Sequence, residues 1–151
     1  MHKIIIGSDH GGFALKEKIK NLLAKNGYQV KDAGCFSEES CDYPEFAYGV
    51  AKGVSDGKFP KGILICKSGI GNSIAANKLP KVRAALCYNV KAAQLSRRHN
   101  DANVLVLGSL FVSEKLAKEI VGVWLKEEFE GGRHLRRIRQ IKKIENGEWK
   151  I

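Results

Sequence analysis

Short apolar runs alternate with stretches of helical spacing along nearly the whole chain, and this alternation limits the possible folds more than any other feature. Ile4-Ile5-Ile6, Ile63-Leu64-Ile65, Ala84-Ala85-Leu86 and Val104-Leu105-Val106-Leu107 read as strands, and Tyr28-Gln29-Val30 reads as a shorter one. Between them, Phe13, Leu15, Ile19, Leu22 and Leu23 share one helical face. Phe46, Val50 and Val54 share a second, and Leu116, Ile120, Val123 and Trp124 a third, for which Ser113 is a suitable N-cap. Strands that alternate with helices form a parallel sheet covered on both faces. The expected architecture is therefore α/β, with a five-stranded parallel sheet and one domain over residues 1–151. A basic helix beginning after Gly131-Gly132 is expected to leave the core and be free to pack on a partner subunit.

Composition narrows the function. A hydrophobic share of 44% over 151 residues supports a real core and argues against disorder. No segment reaches the apolar length of a membrane span, and the N-terminus turns polar at Ser8-Asp9, too soon for an export signal. The four cysteines form no C-x-x-C pair, so free thiols in the cytoplasm are expected, and the Cys and His spacings give no metal-ligand pattern. The net charge of +10 fits either nucleic acid or an anionic metabolite. Arg133, Arg136, Arg137, Arg139, Lys142 and Lys143 cluster near the C-terminus without interleaved aromatics, which argues against single-strand binding. A small phosphorylated substrate needs only two or three of these cations.

Ligands of open parallel sheets bind beyond the carboxyl ends of the strands, so the residues that follow each strand matter most. Cys66-Lys67-Ser68-Gly69-Ile70-Gly71 follows one run, and a helix is expected from Ser73. A thiol facing a helix start and free amides is expected to favour the thiolate, and the same amides can hold an oxyanion. Asp9-His10-Gly11-Gly12 follows the first strand. Asp9 is a natural N-cap, and His10 can donate to a hydroxyl or a phosphate. His99, in the segment Ser96–Asn103 ahead of the last strand, is suited to proton transfer near neutral pH, whereas His2 and His134 are weaker candidates. Arg133 and Arg137, four apart, share a helical face that suits a phosphate. Gly69-x-Gly71 is not a dinucleotide fingerprint, because Ile74 holds the third glycine position, and no P-loop is present. Cys35, Cys41 and Cys87 read as structural.

Together these segments resemble the ribose-5-phosphate isomerase B family, which also includes the galactose-6-phosphate isomerase subunits. The resemblance rests on Gly7–Gly12, Asp42-Tyr43-Pro44, Gly62–Cys66 with Ser68–Gly71 and Ser73–Lys78, Ala93–Arg97 with His99–Leu105, and Glu130–His134. It implies a Rossmann-like three-layer sandwich, a homodimer or homotetramer with active sites shared between subunits, and a reaction without metal or other cofactor. It also implies that Cys66 moves a proton between C1 and C2 of ribose 5-phosphate through an enediolate, with Ser68 and the amides of Gly69, Ile70 and Gly71 stabilising the anion. His99, with Asp9 nearby, is implied to open the furanose ring. His10, Arg133 and Arg137 are implied to hold the phosphate, and Tyr43 and Asn100 to line the sugar. Two positions depart from the family pattern: Lys67 replaces a glycine and Leu110 an arginine. Lys67 belongs to the substrate-binding turn but, as a loop lysine, is expected to face solvent. A six-carbon sugar phosphate as substrate, and a basic nucleic-acid-binding module, remain the alternative readings.

Overall fold

A computed structural model describes residues 2–151. The elements run β1 (Lys3–Ser8), α1 (Phe13–Lys25), β2 (Gln29–Asp32), α2 (Tyr43–Ser55), β3 (Lys61–Cys66), α3 (Ile70–Ala76), β4 (Ala84–Leu86), α4 (Val90–Arg98), β5 (Val104–Gly108), α5 (Glu114–Lys126) and α6 (Arg133–Glu145). The five strands form one parallel sheet in the order β2-β1-β3-β5-β4. The expected α/β class and parallel sheet are borne out.

Side chains alternate across the sheet with a period of two, and each face builds its own core. Ile4, Ile6, Ile63, Ile65, Leu105 and Leu107 face α1, α4 and α5, where Ile19, Leu23, Ala93, Ile120 and Trp124 are buried against them. Ile5, Leu64, Val104 and Val106 face the other way, toward Ala47, Val50 and Ala51 of α2 and Ala76 of α3. Ser113 caps α5 as expected, its side chain accepting from the Leu116 amide. The described residues include no helix long and apolar enough to cross a membrane.

Three local readings need correction. α3 begins at Ile70 rather than Ser73, because Gly69 takes a left-handed conformation, φ +82°, and serves as the N-cap itself. Ser96, Arg97 and Arg98 belong to the end of α4 rather than to a loop. Lys16, on the face of α1 expected to be apolar, is fully buried. Its ammonium donates to both carboxylate oxygens of Asp32, at 2.8 and 3.0 Å, and to the Cys35 carbonyl. Burial alone pushes the Asp32 carboxyl up, but hydrogen bonds from Lys16, Lys20 and the Gly34 amide outweigh it and hold the carboxyl below its usual range. Lys16→Ala should cost about 2 kcal/mol in chemical denaturation, the usual size for a charge-assisted bond, since Lys20 still holds Asp32. A change near zero shows that the pair adds nothing over its desolvation cost.

α6 stands apart. Of its thirteen residues only His134 is buried, and Ile141 and Ile144 are 48% and 60% exposed. The helix leaves the core as expected.

Candidate active site

The register of the sheet fixes where each candidate lies. β3 pairs with β5 from Gly62↔Val104 to Cys66↔Gly108, so Cys66 ends its strand at the carboxyl edge. Asp9 and His10 follow β1 at the same edge. Asp9 is buried, and its Oδ1 accepts from the Gly12 amide at 3.0 Å, the capping role expected of it. The His10 Nδ1 accepts from the Cys41 amide at 3.2 Å, which leaves Nε2 carrying the proton as a donor.

The turn after Cys66 is tightly braced. The Ser109 amide donates to the Cys66 carbonyl at 2.8 Å, and the Tyr88 hydroxyl donates to the Ser68 carbonyl at 2.9 Å. A Cβ built on Gly71 would lie 2.4 Å from Cζ of Tyr43, so only glycine lets the Tyr43 ring stand over the turn. The Lys67 stem lies along Gly11, where an added Cβ would meet its Cγ at 2.5 Å. Lys67 is exposed, as expected, but it runs across the backbone beside His10 rather than straight out to water. Leu110, 69% exposed, donates its amide to the Lys67 carbonyl at 2.9 Å.

Two expectations about this turn do not hold. The thiol is not shifted toward the thiolate. Burial pushes the Cys66 thiol above the ordinary cysteine value, the nearby Asp9 charge adds to that, and the amides of Gly69, Asn72 and Ser68 only partly oppose it. The turn amides are also not all free. Gly69 donates to Cys66 Sγ at 3.1 Å, and Ile70 donates to Ser68 Oγ at 3.1 Å. Asn72 joins the site without having been anticipated. Its side chain is fully buried and neither amide atom has a hydrogen-bond partner among the described residues. Alkylation of Cys66 by iodoacetamide, followed residue by residue in a mass spectrometer, should be slow at neutral pH and keep accelerating above the pH at which a free thiol levels off. A plateau at or below neutral pH would contradict the raised value.

His99 and Asn100 lie elsewhere. They follow α4 and precede β5, and the Asn103 carbonyl accepts from the Gly62 amide at 2.9 Å, so this segment sits at the amino edge of the sheet. Four residues of β3 separate that level from Cys66, roughly 13 Å of strand. Asp9 therefore does not neighbour His99 within one chain. The start of α6 shares the amino edge: the Glu130 amide donates to the Arg98 carbonyl at 3.0 Å, and the His134 ring stacks on His99 with centroids 4.1 Å apart and planes 10° apart. His134 is thus buried rather than a solvated tail residue. Burial, then His99 and Arg133, lower its pKa, with Glu130 opposing. Arg133 and Arg137 are exposed on the same first turns of α6. The candidate residues therefore fall into two groups, Asp9, His10, Tyr43, Cys66 and Lys67–Gly71 at one edge of the sheet and His99, Asn100, Arg133 and Arg137 at the other.

Comparison with known proteins shows the family of this chain. The family described as Ribose/Galactose Isomerase matches residues 4–141. Ribose-5-phosphate isomerase B of Escherichia coli (strain K12) is 50% identical over 145 residues, 96% of this chain and 97% of that protein. The structure of Clostridium thermocellum ribose-5-phosphate isomerase B superposes with a TM-score of 0.95 at 52% identity, covering 97% of this chain and 99% of that one. The crystal structure of ribose-5-phosphate isomerase B from Mycoplasma genitalium with bound ribulose-5-phosphate superposes at 0.93, with 44% identity, 96% of this chain and 97% of that one covered.

Proposed function

Since the chain belongs to the ribose/galactose isomerase family, we propose that it interconverts ribose 5-phosphate and ribulose 5-phosphate in the cytoplasm, with no metal or other cofactor taking part in the reaction. The observation that carries the reading is Cys66, a thiol at the carboxyl end of a central strand, with a backbone amide on its sulfur and a buried carboxylate nearby. In its thiolate form Cys66 takes the proton from C2 of the open-chain aldose while the C1 carbonyl gains the negative charge of an enediolate. The proton of the C2 hydroxyl passes to the C1 oxygen, and Cys66 returns the carbon-derived proton to C1, which gives the ketose. The amides of the Ser68–Gly71 turn exchange their internal partners for the developing oxyanion. Tyr43 closes over the sugar.

His99 opens the ring, Asn100 contacts the sugar, and Arg133 and Arg137 hold the phosphate with His10. These groups sit at opposite edges of one chain, so a complete site needs a second copy, its amino edge set against the carboxyl edge of the first. Exposed apolar side chains support such pairing. Ile70, Ile74, Leu110 and Phe111 are 51%, 59%, 69% and 53% exposed around the Cys66 turn. A cleft lies between α6 and the β4 edge, lined by Leu79, Val82, Ile141 and Ile144. An apolar cleft under a helix that barely touches its own core fits a subunit contact better than a sugar phosphate.

The test is an isomerase assay of the purified protein on ribose 5-phosphate, allose 6-phosphate and galactose 6-phosphate. The highest kcat/KM is expected on ribose 5-phosphate. A preference for a six-carbon sugar replaces the substrate, and inactivity on all three with salt-sensitive duplex binding replaces the reading altogether.

Lys67 bears on phosphate affinity. Its stem already lies along Gly11 beside His10, and Leu110 next to it brings no cation. Lys67→Gly should raise KM roughly threefold to tenfold, more at low ionic strength, with little change in kcat. An unchanged KM places the ammonium in solvent.

A further inference from the structure

The His99–His134 pair does more than stack. The His99 Nε2 lies 4.0 Å and the His134 Nε2 3.6 Å from the same Glu130 Oε2, and the three ligand atoms all fall within 4.8 Å of one another. The His134 ring is buried, and its Nε2 has no hydrogen-bond partner among the described residues, the carboxylate standing too far for one. A buried imidazole nitrogen 3.6 Å from a carboxylate and bonded to nothing lacks a partner that a metal ion would supply. We propose that His99, Glu130 and His134 form a binding site for a divalent transition metal of the zinc class, and that its occupation inhibits the enzyme.

Zinc bonds to imidazole nitrogen and carboxylate oxygen of about 2.0–2.2 Å place tetrahedral ligand atoms roughly 3.4 Å apart. The His134 Nε2 and Glu130 Oε2 are already near that spacing. The remaining closure falls to Glu130 and His99, 46% and 36% exposed; His99 has to turn out of its stack on His134, because parallel rings cannot direct both nitrogen lone pairs at one ion. Three protein ligands leave a fourth position for water. Arg133 and Arg137 stand close to His134. Their charge repels a hard cation held by electrostatics alone, whereas metals that bond well to neutral imidazole are less affected. The site should therefore take zinc, cobalt or nickel and refuse magnesium and calcium. Sequence spacing pointed away from any metal, because His99 lies far upstream of Glu130 and His134 and only the fold joins them.

Inhibition rests on the proposed role of His99. A nitrogen lone pair committed to a metal cannot exchange a proton with the sugar ring. Metal binding itself can be read without substrate, so failure of the isomerase reading leaves that part of the test intact.

The experiment titrates metal-free full-length protein with cobalt(II) and follows its visible d–d absorption. Saturation at one cobalt per chain is expected, with zinc displacing it and magnesium not. Glu130→Gln and His134→Ala, checked for fold by circular dichroism, should each weaken binding by at least about tenfold, and Cys66→Ala should leave it unchanged. Zinc should inhibit isomerisation, a chelator should restore it, and Glu130→Gln should need at least about tenfold more zinc for the same fractional loss from its own metal-free rate. Absence of stoichiometric binding, binding that survives His134→Ala, or binding lost in Cys66→Ala overturns the site. Full turnover with the metal bound overturns the inhibition.

Discussion

Cys66→Ala is expected to lower kcat for ribose 5-phosphate isomerisation by at least about 10²-fold, the lower end for general-base catalysis and about 2.7 kcal/mol of barrier. KM should move little. A base acts on the transition state, whereas affinity for the ground state is expected from the phosphate contacts proposed for His10, Arg133, Arg137 and Lys67. Loss of fold will not mimic this result. Cys66 is 4% exposed, so removing its sulfur leaves only a small cavity, worth about 1 kcal/mol or less of stability. Because burial raises the Cys66 pKa, the thiolate is scarce at neutral pH, and kcat/KM of the unaltered enzyme should climb as pH rises toward that value. Near-normal turnover by the alanine variant removes Cys66 as the base. Asp9, buried and close enough for its charge to act on the thiol, then becomes the next candidate.

The sheet was readable because its three central strands are continuous apolar runs buried on both faces, a pattern no surface segment shares. Helix faces were readable for the same reason, with one instructive exception. The apolar stripe of α1 contains Lys16, and no periodicity reveals that Asp32 and the Cys35 carbonyl wait for its ammonium across the fold. The start of α3 was missed because the glycines read as turn, whereas Gly69 alone turns the chain and Gly71 already lies in the helix. At Cys66, helix start and free amides gave the wrong sign for the thiol shift. The deciding quantity was burial, which depends on Asp9 and the packing around the strand end rather than on local sequence. His134 was passed over because a histidine in a basic tail resembles a solvated one. Its stacking on His99 is a tertiary fact. The candidate residues were each picked out by type and position, but their separation to opposite edges follows only from the register of β3 against β5.

That placement gives the last prediction. Cys66→Ala and His99→Asn should each be nearly inactive alone, since proton transfer at carbon and ring opening each rely on acid–base catalysis worth about 10²-fold or more. If the amino edge of one chain completes the carboxyl edge of another, a heterodimer of the two variants has one site carrying both substitutions and one carrying neither. Random exchange makes half of the dimers mixed, and each keeps one intact site of two, so about a quarter of wild-type activity should return. A Cys66→Ala/His99→Asn double variant mixed with wild-type protein is the matching control. In its mixed dimers each site carries one substitution, so exchange should lower activity rather than restore it. Mixing must be done by unfolding and refolding the variants together, because an apolar subunit contact of the kind exposed around Ile70, Ile74, Leu110 and Phe111 exchanges slowly. Activity that stays at the level of the separate variants, in a sample shown to contain mixed dimers, means that Cys66 and His99 act within one chain or in separate steps. The roughly 13 Å of strand between their levels must then be closed by a movement of the segment carrying His99, not by a second subunit.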